Sequence, residues 1–158
     1  MKNLLVLGGL SLFLGMATLA PFGAQDRDDH ERIQGRFVGA WRLAGLEDPV
    51  ADGKVHTADC SGLLVYTRDG HMSVQVMYRN PQAGAAAGPV QYAQGGYEAS
   101  FGTYRIDDAH KFTFHVEGAM VRSLVGKDLP RAFELTSNQL IVKSTDPNEH
   151  WRVTWERY

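Results

Sequence analysis

The chain has 158 residues, a formal charge of −2 with both signs interspersed, and a single cysteine. This length predicts about one domain. The lack of a basic excess excludes the electrostatic footprint of a nucleic-acid-binding protein. One cysteine excludes an intrachain disulfide, and the six scattered histidines have no metal-ligand spacing. We therefore expect no nucleic-acid partner, no metal and no other cofactor.

The N-terminal segment has the layout of a secretory signal peptide. Lys2 supplies a positive start, residues 4–14 form an apolar run broken by glycine and serine, and small residues follow. A membrane-spanning helix needs about 20 apolar residues, more than this run contains. We expect residues 1–24 to be a cleaved signal peptide, with the cleavage position left open. The mature protein is then secreted or periplasmic, without stable membrane insertion.

The mature chain is predicted to begin with a short polar arm over residues 25–36. This segment is dense in charged side chains, which is typical of a solvated arm or one short helical turn. From residue 37 the pattern changes to a period of two, as in a half-buried strand. One face of that strand is formed by Phe37, Gly39, Trp41 and Leu43. Residues 37–158 are therefore predicted to form the folded domain.

Two hairpins dominate the middle of this domain. The first joins the apolar run 61–67 to residues 71–78 through Asp69-Gly70, a strong turn signal between two such runs. The second spans residues 101–118, where two aromatic and β-branched runs flank a short polar break. Between them, residues 80–96 contain two prolines and four glycines. A connection this long is predicted to be a lid, a binding loop or disordered.

Three more strands are predicted at residues 131–136, 140–144 and 151–158. Eight or nine short strands with closely spaced turns are typical of an all-β sandwich or barrel. Because the hairpins are consecutive, the pattern favours a single antiparallel up-and-down β-barrel, which removes sheet edges by closure. A barrel of about eight strands is just wide enough to hold one small ligand or to be filled by side chains.

Arg131 is the sharpest candidate for a functional residue. It shares a strand face with Phe133 and Leu135, and a guanidinium inside a barrel is very costly unless it is paired. It could anchor a ligand carboxylate or enolate oxygen, since arginine has the matching fork geometry. It could instead form an internal ion pair with Glu117, or reach solvent at the mouth of the strand. The internal pair is favoured, because isolated buried charges are rare.

His115 and Glu117 present a conflict between two rules. They alternate with Phe112, Phe114 and Val116, so simple patterning places them on the outer face. Arg131, however, needs an acceptor inside. If the two side chains point inward, His115 is a candidate proton shuttle and Glu117 is the residue that orients it.

Two features of the chain resemble lipocalins. Gly39-Ala40-Trp41 resembles their Gly-x-Trp signature, in which the tryptophan plugs one end of the barrel beneath an arginine from the far end of the chain. Arg157 is the expected arginine, because it shares a face with Trp151, Val153 and Trp155. More broadly, the order and spacing of five segments resemble the bacterial and fungal lipocalin-like domain proteins; these segments are 37–43, 62–77, 101–104, 115–118 and 131–135.

The resemblance implies a barrel with an internal cavity that binds small apolar or amphipathic molecules. It also marks His115 and Glu117 as motif positions rather than ordinary surface. The chain departs from the family pattern over Val121-Arg122-Ser123-Leu124, where the family tends to have a polar Pro-Asn-Trp-type segment, and at Leu129, where it has a glutamine. This departure predicts a less polar ligand than the family's usual one.

We take binding of a small apolar or amphipathic molecule as the preferred function, without assigning a catalytic residue. One alternative is an isomerase or cyclase acting on a lipid- or polyketide-like substrate in the same cavity. The other is a non-catalytic interaction module of the cell envelope with a filled barrel. Tyr66, Tyr104 and Gln75 are weaker candidates, and tyrosines in barrels are usually core residues with a satisfied hydroxyl. The full candidate ligand-binding set is Tyr66, Gln75, Tyr104, His115, Glu117 and Arg131.

Overall fold

A computed structural model describes residues 22–49, 55–79 and 96–158. Residues 1–21 of the predicted signal peptide and residues 80–95 of the predicted lid or binding loop lie outside these ranges. The described residues form helix α1 (Phe22–Phe37), a 3₁₀ turn (Arg122–Leu124) and nine strands. The strands are β1 Gly39–Pro49, β2 Val55–Thr57, β3 Cys60–Tyr66, β4 His71–Tyr78, β5 Tyr97–Ile106, β6 Lys111–Ala119, β7 Asp128–Leu135, β8 Gln139–Ser144 and β9 Arg152–Arg157.

Strand β1 closes the sheet into a barrel. The first part of one edge pairs with β3, from Gly39 opposite Tyr66, and the last part of the same edge pairs with β2, from Glu47 opposite Thr57. Strands β2 and β3 therefore act as one interrupted strand. The other edge of β1 pairs with β9, and the remaining strands follow in chain order. The result is an eight-stranded antiparallel up-and-down barrel, which confirms the predicted architecture.

Helix α1 plugs one end of this barrel. The fully buried ring of Phe37 lies among four aromatic rings at centroid distances of 4.9–6.1 Å, those of Tyr66, Tyr104, Phe112 and Phe133. Ile33, one helical turn earlier, is also buried. The side chains of Gln34 and Arg36 donate to the carbonyl oxygens of Arg68 and Leu135, at 3.1 and 3.0 Å. We call Phe37 and these four rings the aromatic plug.

The helix is longer than the short turn predicted for residues 25–36. Ile33 and Phe37 are four residues apart and therefore lie on one helix face, where their burial against the barrel stabilises the preceding turns. This apolar pair is easily missed, because charged residues surround Ile33 in the sequence. Within the described ranges, no helix has the length and the hydropathy that crossing a bilayer requires.

Trp41 and Arg157 pack against each other at the plugged end of the barrel, as predicted. The Trp41 ring is fully buried, and the Arg157 guanidinium lies 4.1 Å from its centroid. Arg157 also donates to the carbonyl oxygens of Val38, at 2.9 Å, and Arg36, while Trp41 Nε1 donates to the carbonyl of Phe37 at 2.8 Å. These bonds join the last strand to the junction between α1 and β1.

Gly39 is required by the same contact. Its φ is +133°, a conformation that side-chain-bearing residues rarely adopt, and a Cβ there would lie 2.9 Å from a guanidinium nitrogen of Arg157. In the Gly-x-Trp motif, the glycine thus leaves room for the Arg157 guanidinium, and the tryptophan provides the ring that the guanidinium contacts.

We predict that Arg157→Leu lowers the free energy of unfolding by about 2–4 kcal/mol, because it removes two hydrogen bonds from a charged donor and a cation–π contact. Arg42→Leu is the matched control, since Arg42 forms an exposed ion pair with Glu156 on the outer face and should cost under about 1 kcal/mol. Chemical denaturation measures both. Equal losses in the two variants would contradict the locking role of Arg157.

We also predict that Gly102→Ala destabilises the barrel by about 1–3 kcal/mol or more. Gly102 sits at a register shift between β5 and β6, where a Cβ would lie 2.0 Å from the carbonyl oxygen of His115, so backbone must move. Gly35→Ala in α1 is the control; its Cβ meets open space, so the change should be neutral or stabilising by up to about 1 kcal/mol. A tolerated Gly102→Ala would show that this bulge is not tightly packed.

Candidate functional site

The barrel interior contains a partly open cavity of about 80 Å³ above the aromatic plug. Tyr66 and Phe112 belong both to the plug and to the cavity wall, so the plug forms the cavity floor. Most of the wall is apolar and includes Leu64, Met72, Val76, Phe114, Trp151 and Trp155. The cavity is several times larger than one water molecule needs, about 10–15 Å³, and smaller than the pockets of drug-sized ligands, roughly 300–1,000 Å³. It therefore suits a small molecule.

Two polar atoms in this apolar wall have no protein partner. The Tyr66 hydroxyl and Glu98 Oε2 are both buried and form no hydrogen bond with a protein group. Leaving a buried polar group unpaired costs about 1–3 kcal/mol, and such groups are rare in folded proteins. Both residues line the cavity, Tyr66 from β3 and Glu98 from β5. Both atoms are themselves buried, with almost no accessible surface, so an occupant would bond to them only after a small shift of the wall.

Burial changes the ionisation of both groups. Glu98 is only 8% exposed, and desolvation raises the pKa of its carboxyl group to about 8, with the nearby Arg131 charge partly opposing the rise. At neutral pH this carboxyl is therefore mainly protonated and able to donate a hydrogen bond. Desolvation also raises the pKa of the Tyr66 phenol, which stays a neutral donor.

Arg131 lines the same cavity from β7. Its guanidinium lies 5.1 Å from the centroid of the Trp151 ring and donates to the carbonyl oxygen of Pro130 at 3.1 Å. The Trp151 ring is itself held by Glu149, whose Oε2 accepts from Trp151 Nε1 at 3.0 Å. The cation is therefore positioned by an anchored aromatic ring.

The predicted ion pair between Arg131 and Glu117 is wrong. Glu117 is exposed on the outer face of β6, because it alternates with the buried Val116. The inward-facing acid is Glu98, which the sequence reasoning missed. The described side chains of Glu98 and Arg131 are within electrostatic range but form no direct ion pair. Alternation along β5 could have found Glu98, since it shares the inward face with Ser100, Gly102 and Tyr104.

The other candidate residues divide between the plug and the outer surface. Tyr66 lines the cavity, whereas Tyr104 is buried in the aromatic plug, where its hydroxyl donates to the carbonyl oxygen of Thr67 at 3.1 Å. Burial raises the pKa of Tyr104 to about 12, so its hydroxyl stays protonated. Of the six candidates, the structure places Tyr66 and Arg131 in the cavity wall and Tyr104 beneath it.

Gln75 and His115 point away from the cavity, as Glu117 does. Gln75 is exposed on the outer face, where it accepts a hydrogen bond from the Tyr97 hydroxyl at 3.2 Å. His115 is exposed and lies 2.7 Å, Nδ1 to Oδ1, from Asp128. These three members of the candidate ligand-binding set therefore lie outside the cavity, and the open question of which way His115 and Glu117 point is answered as simple alternation indicated. The acid–base hypothesis that required His115 and Glu117 to converge in the cavity fails in that form.

No group of three or more His, Cys, Asp or Glu side chains in the described part of the chain is arranged to hold a metal ion. The polar chemistry of the cavity thus rests on the side chains of its own wall, namely Tyr66, Glu98, Ser100 and Arg131.

Comparison with known proteins gives one family match. The model of the lipocalin-like domain matches residues 38–158, and a search of curated proteins gives no match. Among solved structures, the chain is similar to a lipocalin-like protein from Bacteroides uniformis, with 14% identity, a TM-score of 0.49 and coverage of 78% of this chain and 100% of that chain. An uncharacterized protein from Bacteroides eggerthii has 16% identity, a TM-score of 0.47 and coverage of 77% and 99%.

We predict that Glu98 makes the stability of the protein fall as pH rises. Its pKa is raised from an ordinary 4.5 to about 8, so the folded state binds the proton more tightly than the unfolded chain. Its contribution is full below about pH 4.5 and is lost as pH rises to about 8, at up to about 1.4 kcal/mol per pH unit. Denaturant titrations at pH 5, 6, 7 and 8 measure this slope.

Glu98→Gln should remove that slope, because an amide does not titrate. Glu117→Gln is the matched control, since Glu117 is an exposed carboxylate on the outer face, and it should keep the slope of the unmodified protein. The same slope in the Glu98→Gln variant would contradict the buried, protonated carboxyl.

Proposed function

This chain belongs to the lipocalin-like domain family, and on that premise we propose that its barrel binds a small apolar or amphipathic molecule in the internal cavity. The observation that carries the proposal is the pair of buried, unpartnered polar atoms, Tyr66 Oη and Glu98 Oε2, in an otherwise apolar wall. A barrel filled for stability alone gains nothing from them. Phenylalanine at position 66, for example, would occupy almost the same space without the unpaired hydroxyl.

The wall supplies affinity, and the polar atoms supply orientation. Burying apolar ligand surface against the aliphatic and aromatic wall contributes about 25 cal/mol per Å². A ligand atom that bonds Tyr66 or Glu98 also removes a desolvation penalty that the empty protein carries. This combination of an apolar pocket with a few placed polar groups is the usual design of a small-molecule site.

The two alternative functions have less support. An isomerase or cyclase would have to work without His115 and Glu117, which lie on the outer face. A filled-barrel interaction module is at odds with the cavity, although Met77, Tyr97 and Phe101 offer exposed apolar surface on β4 and β5. We also propose, from the layout of residues 1–24 in the sequence, that the protein acts outside the cytoplasm; fractionation of expressing cells tests this.

We predict that the purified protein takes up small single-ring molecules and that filling the cavity abolishes uptake. The probes are toluene, benzamide, benzoate and benzylamine, detected through the fluorescence of Trp151 and Trp155, which line the cavity. Val153→Phe places a ring in the cavity and should weaken binding of every ligand by at least about 10-fold, or about 1.4 kcal/mol. Native mass spectrometry of freshly purified protein checks for a co-purifying molecule.

Val125→Phe is the matched control, because Val125 is exposed and lies outside the cavity. This variant should bind as the unmodified protein does. Circular dichroism and thermal unfolding confirm that both variants are folded before they are titrated. The proposal is contradicted if no probe binds and no small molecule co-purifies, or if binding survives unchanged in a folded Val153→Phe variant.

A further inference from the structure

The few polar side chains of the cavity wall can all donate hydrogen bonds, and one of them is a cation. Among the residues that the structure describes, the wall's ionisable side chains are Tyr66 on β3, Glu98 on β5 and Arg131 on β7. Tyr66 and the protonated Glu98 are neutral donors, and Arg131 is a permanent cation with donors only. The described side chains of the wall therefore include a guanidinium without an ion-paired carboxylate and two unpartnered polar atoms.

We propose, resting on the binding function above, that the occupant is a small monocarboxylic acid bound as its anion, with its carboxylate between Arg131 and Glu98 and its apolar body against the cavity wall. Arginine presents paired N–H groups that match a carboxylate, and hydrogen bonds of this kind are about twice as strong as neutral ones. Arg131 Nη1 donates to the carbonyl oxygen of Pro130, and no other hydrogen bond joins this guanidinium to the described residues, so its remaining N–H donors can serve a ligand.

Charge selects among ligands of the same shape. An ammonium ligand would be repelled by Arg131, and the protonated Glu98 offers no anion to offset this repulsion. A neutral amide would leave the Arg131 charge without a counterion. A carboxylate neutralises Arg131 and can also accept a hydrogen bond from the O–H of the protonated Glu98 carboxyl. The size of the cavity, about 80 Å³, limits the body to a single ring or a short chain.

Binding of such an anion depends on the proton of Glu98. The pKa of Glu98 is about 8, so near pH 9 its carboxyl is mainly ionised and repels a bound carboxylate. The fraction of protein competent to bind falls accordingly, and the apparent affinity falls with it, by about 10-fold from pH 7 to pH 9. Burial raises the pKa of Tyr66, so its phenol stays neutral in this range.

The test compares three ligands that share one ring, benzoate, benzamide and benzylamine, by tryptophan fluorescence and calorimetry at pH 7 and pH 9. At pH 7 benzoate should bind at least about 10-fold more tightly than benzamide, and benzylamine should bind weakest. Arg131→Gln should lose the preference for benzoate and keep the affinity for benzamide. Its control is Arg105→Gln, which removes an exposed arginine paired with Asp107 on the outer face and should change nothing.

Glu98→Gln tests the proton linkage. It keeps a donor at this position, so benzoate should bind at pH 7 and lose less than about 2-fold by pH 9. Glu117→Gln is its control and should retain the 10-fold loss. Each variant is first shown to be folded at both pH values by circular dichroism.

Several outcomes overturn the inference. Tighter binding of benzamide than of benzoate would indicate that the cavity prefers a neutral ligand. A preference for benzylamine would indicate that Glu98 is ionised in the cavity. Either result would refute the carboxylate while leaving the binding function intact. A benzoate preference that persists in Arg131→Gln, or a pH loss that persists in Glu98→Gln, would place the anion elsewhere. If none of the three ligands nor toluene binds, the binding function itself fails.

Discussion

The structure depends most on the contact between Arg157 and the start of β1. The guanidinium stacks on Trp41 and bonds to two carbonyl oxygens at the junction of α1 and β1, so the last strand, the first strand and the helix are held at one point. β1 pairs with β9 along the same edge, which closes the barrel. The same junction sets Phe37 into the aromatic plug. The same contacts therefore hold both the closed sheet and the closed end of the barrel.

Burial also determines the chemistry of the cavity. Desolvation of Tyr66 and Glu98 in the cavity wall leaves one polar atom of each unpaired and raises the pKa of the Glu98 carboxyl. Arg131 contributes a cation held by Trp151 rather than by a carboxylate. These features oppose stability and favour an occupant, as expected where a binding site is built into a packed core. The same side chains therefore affect both the stability of the protein and its proposed ligand binding.

Strand alternation and turn chemistry in the sequence were enough to predict the barrel and its hairpins, and the resemblance to lipocalins implied the contact of Arg157 with Trp41. They were not enough for the site. Alternation correctly placed His115 and Glu117 outside. The need of Arg131 for an acceptor, however, suggested Glu117 as its partner, whereas the acid in the cavity wall is Glu98. Glu98 was missed because it follows an irregular segment, where the start of β5, and so its inward face, is hard to locate. The length of α1 was missed because, among its described side chains at 27–37, Ile33 and Phe37 alone are buried.

The central claim is that the cavity above the aromatic plug is a ligand site whose polar contacts are Tyr66, Glu98 and Arg131. A high-resolution crystal structure of the protein grown at neutral pH with a small aromatic acid tests it most directly. We expect density for the acid inside the barrel, with its carboxylate within about 3 Å of Arg131 and of a Glu98 oxygen. A cavity that holds only ordered water bonded to Tyr66 and Glu98, or that has collapsed onto its own side chains, would contradict the account.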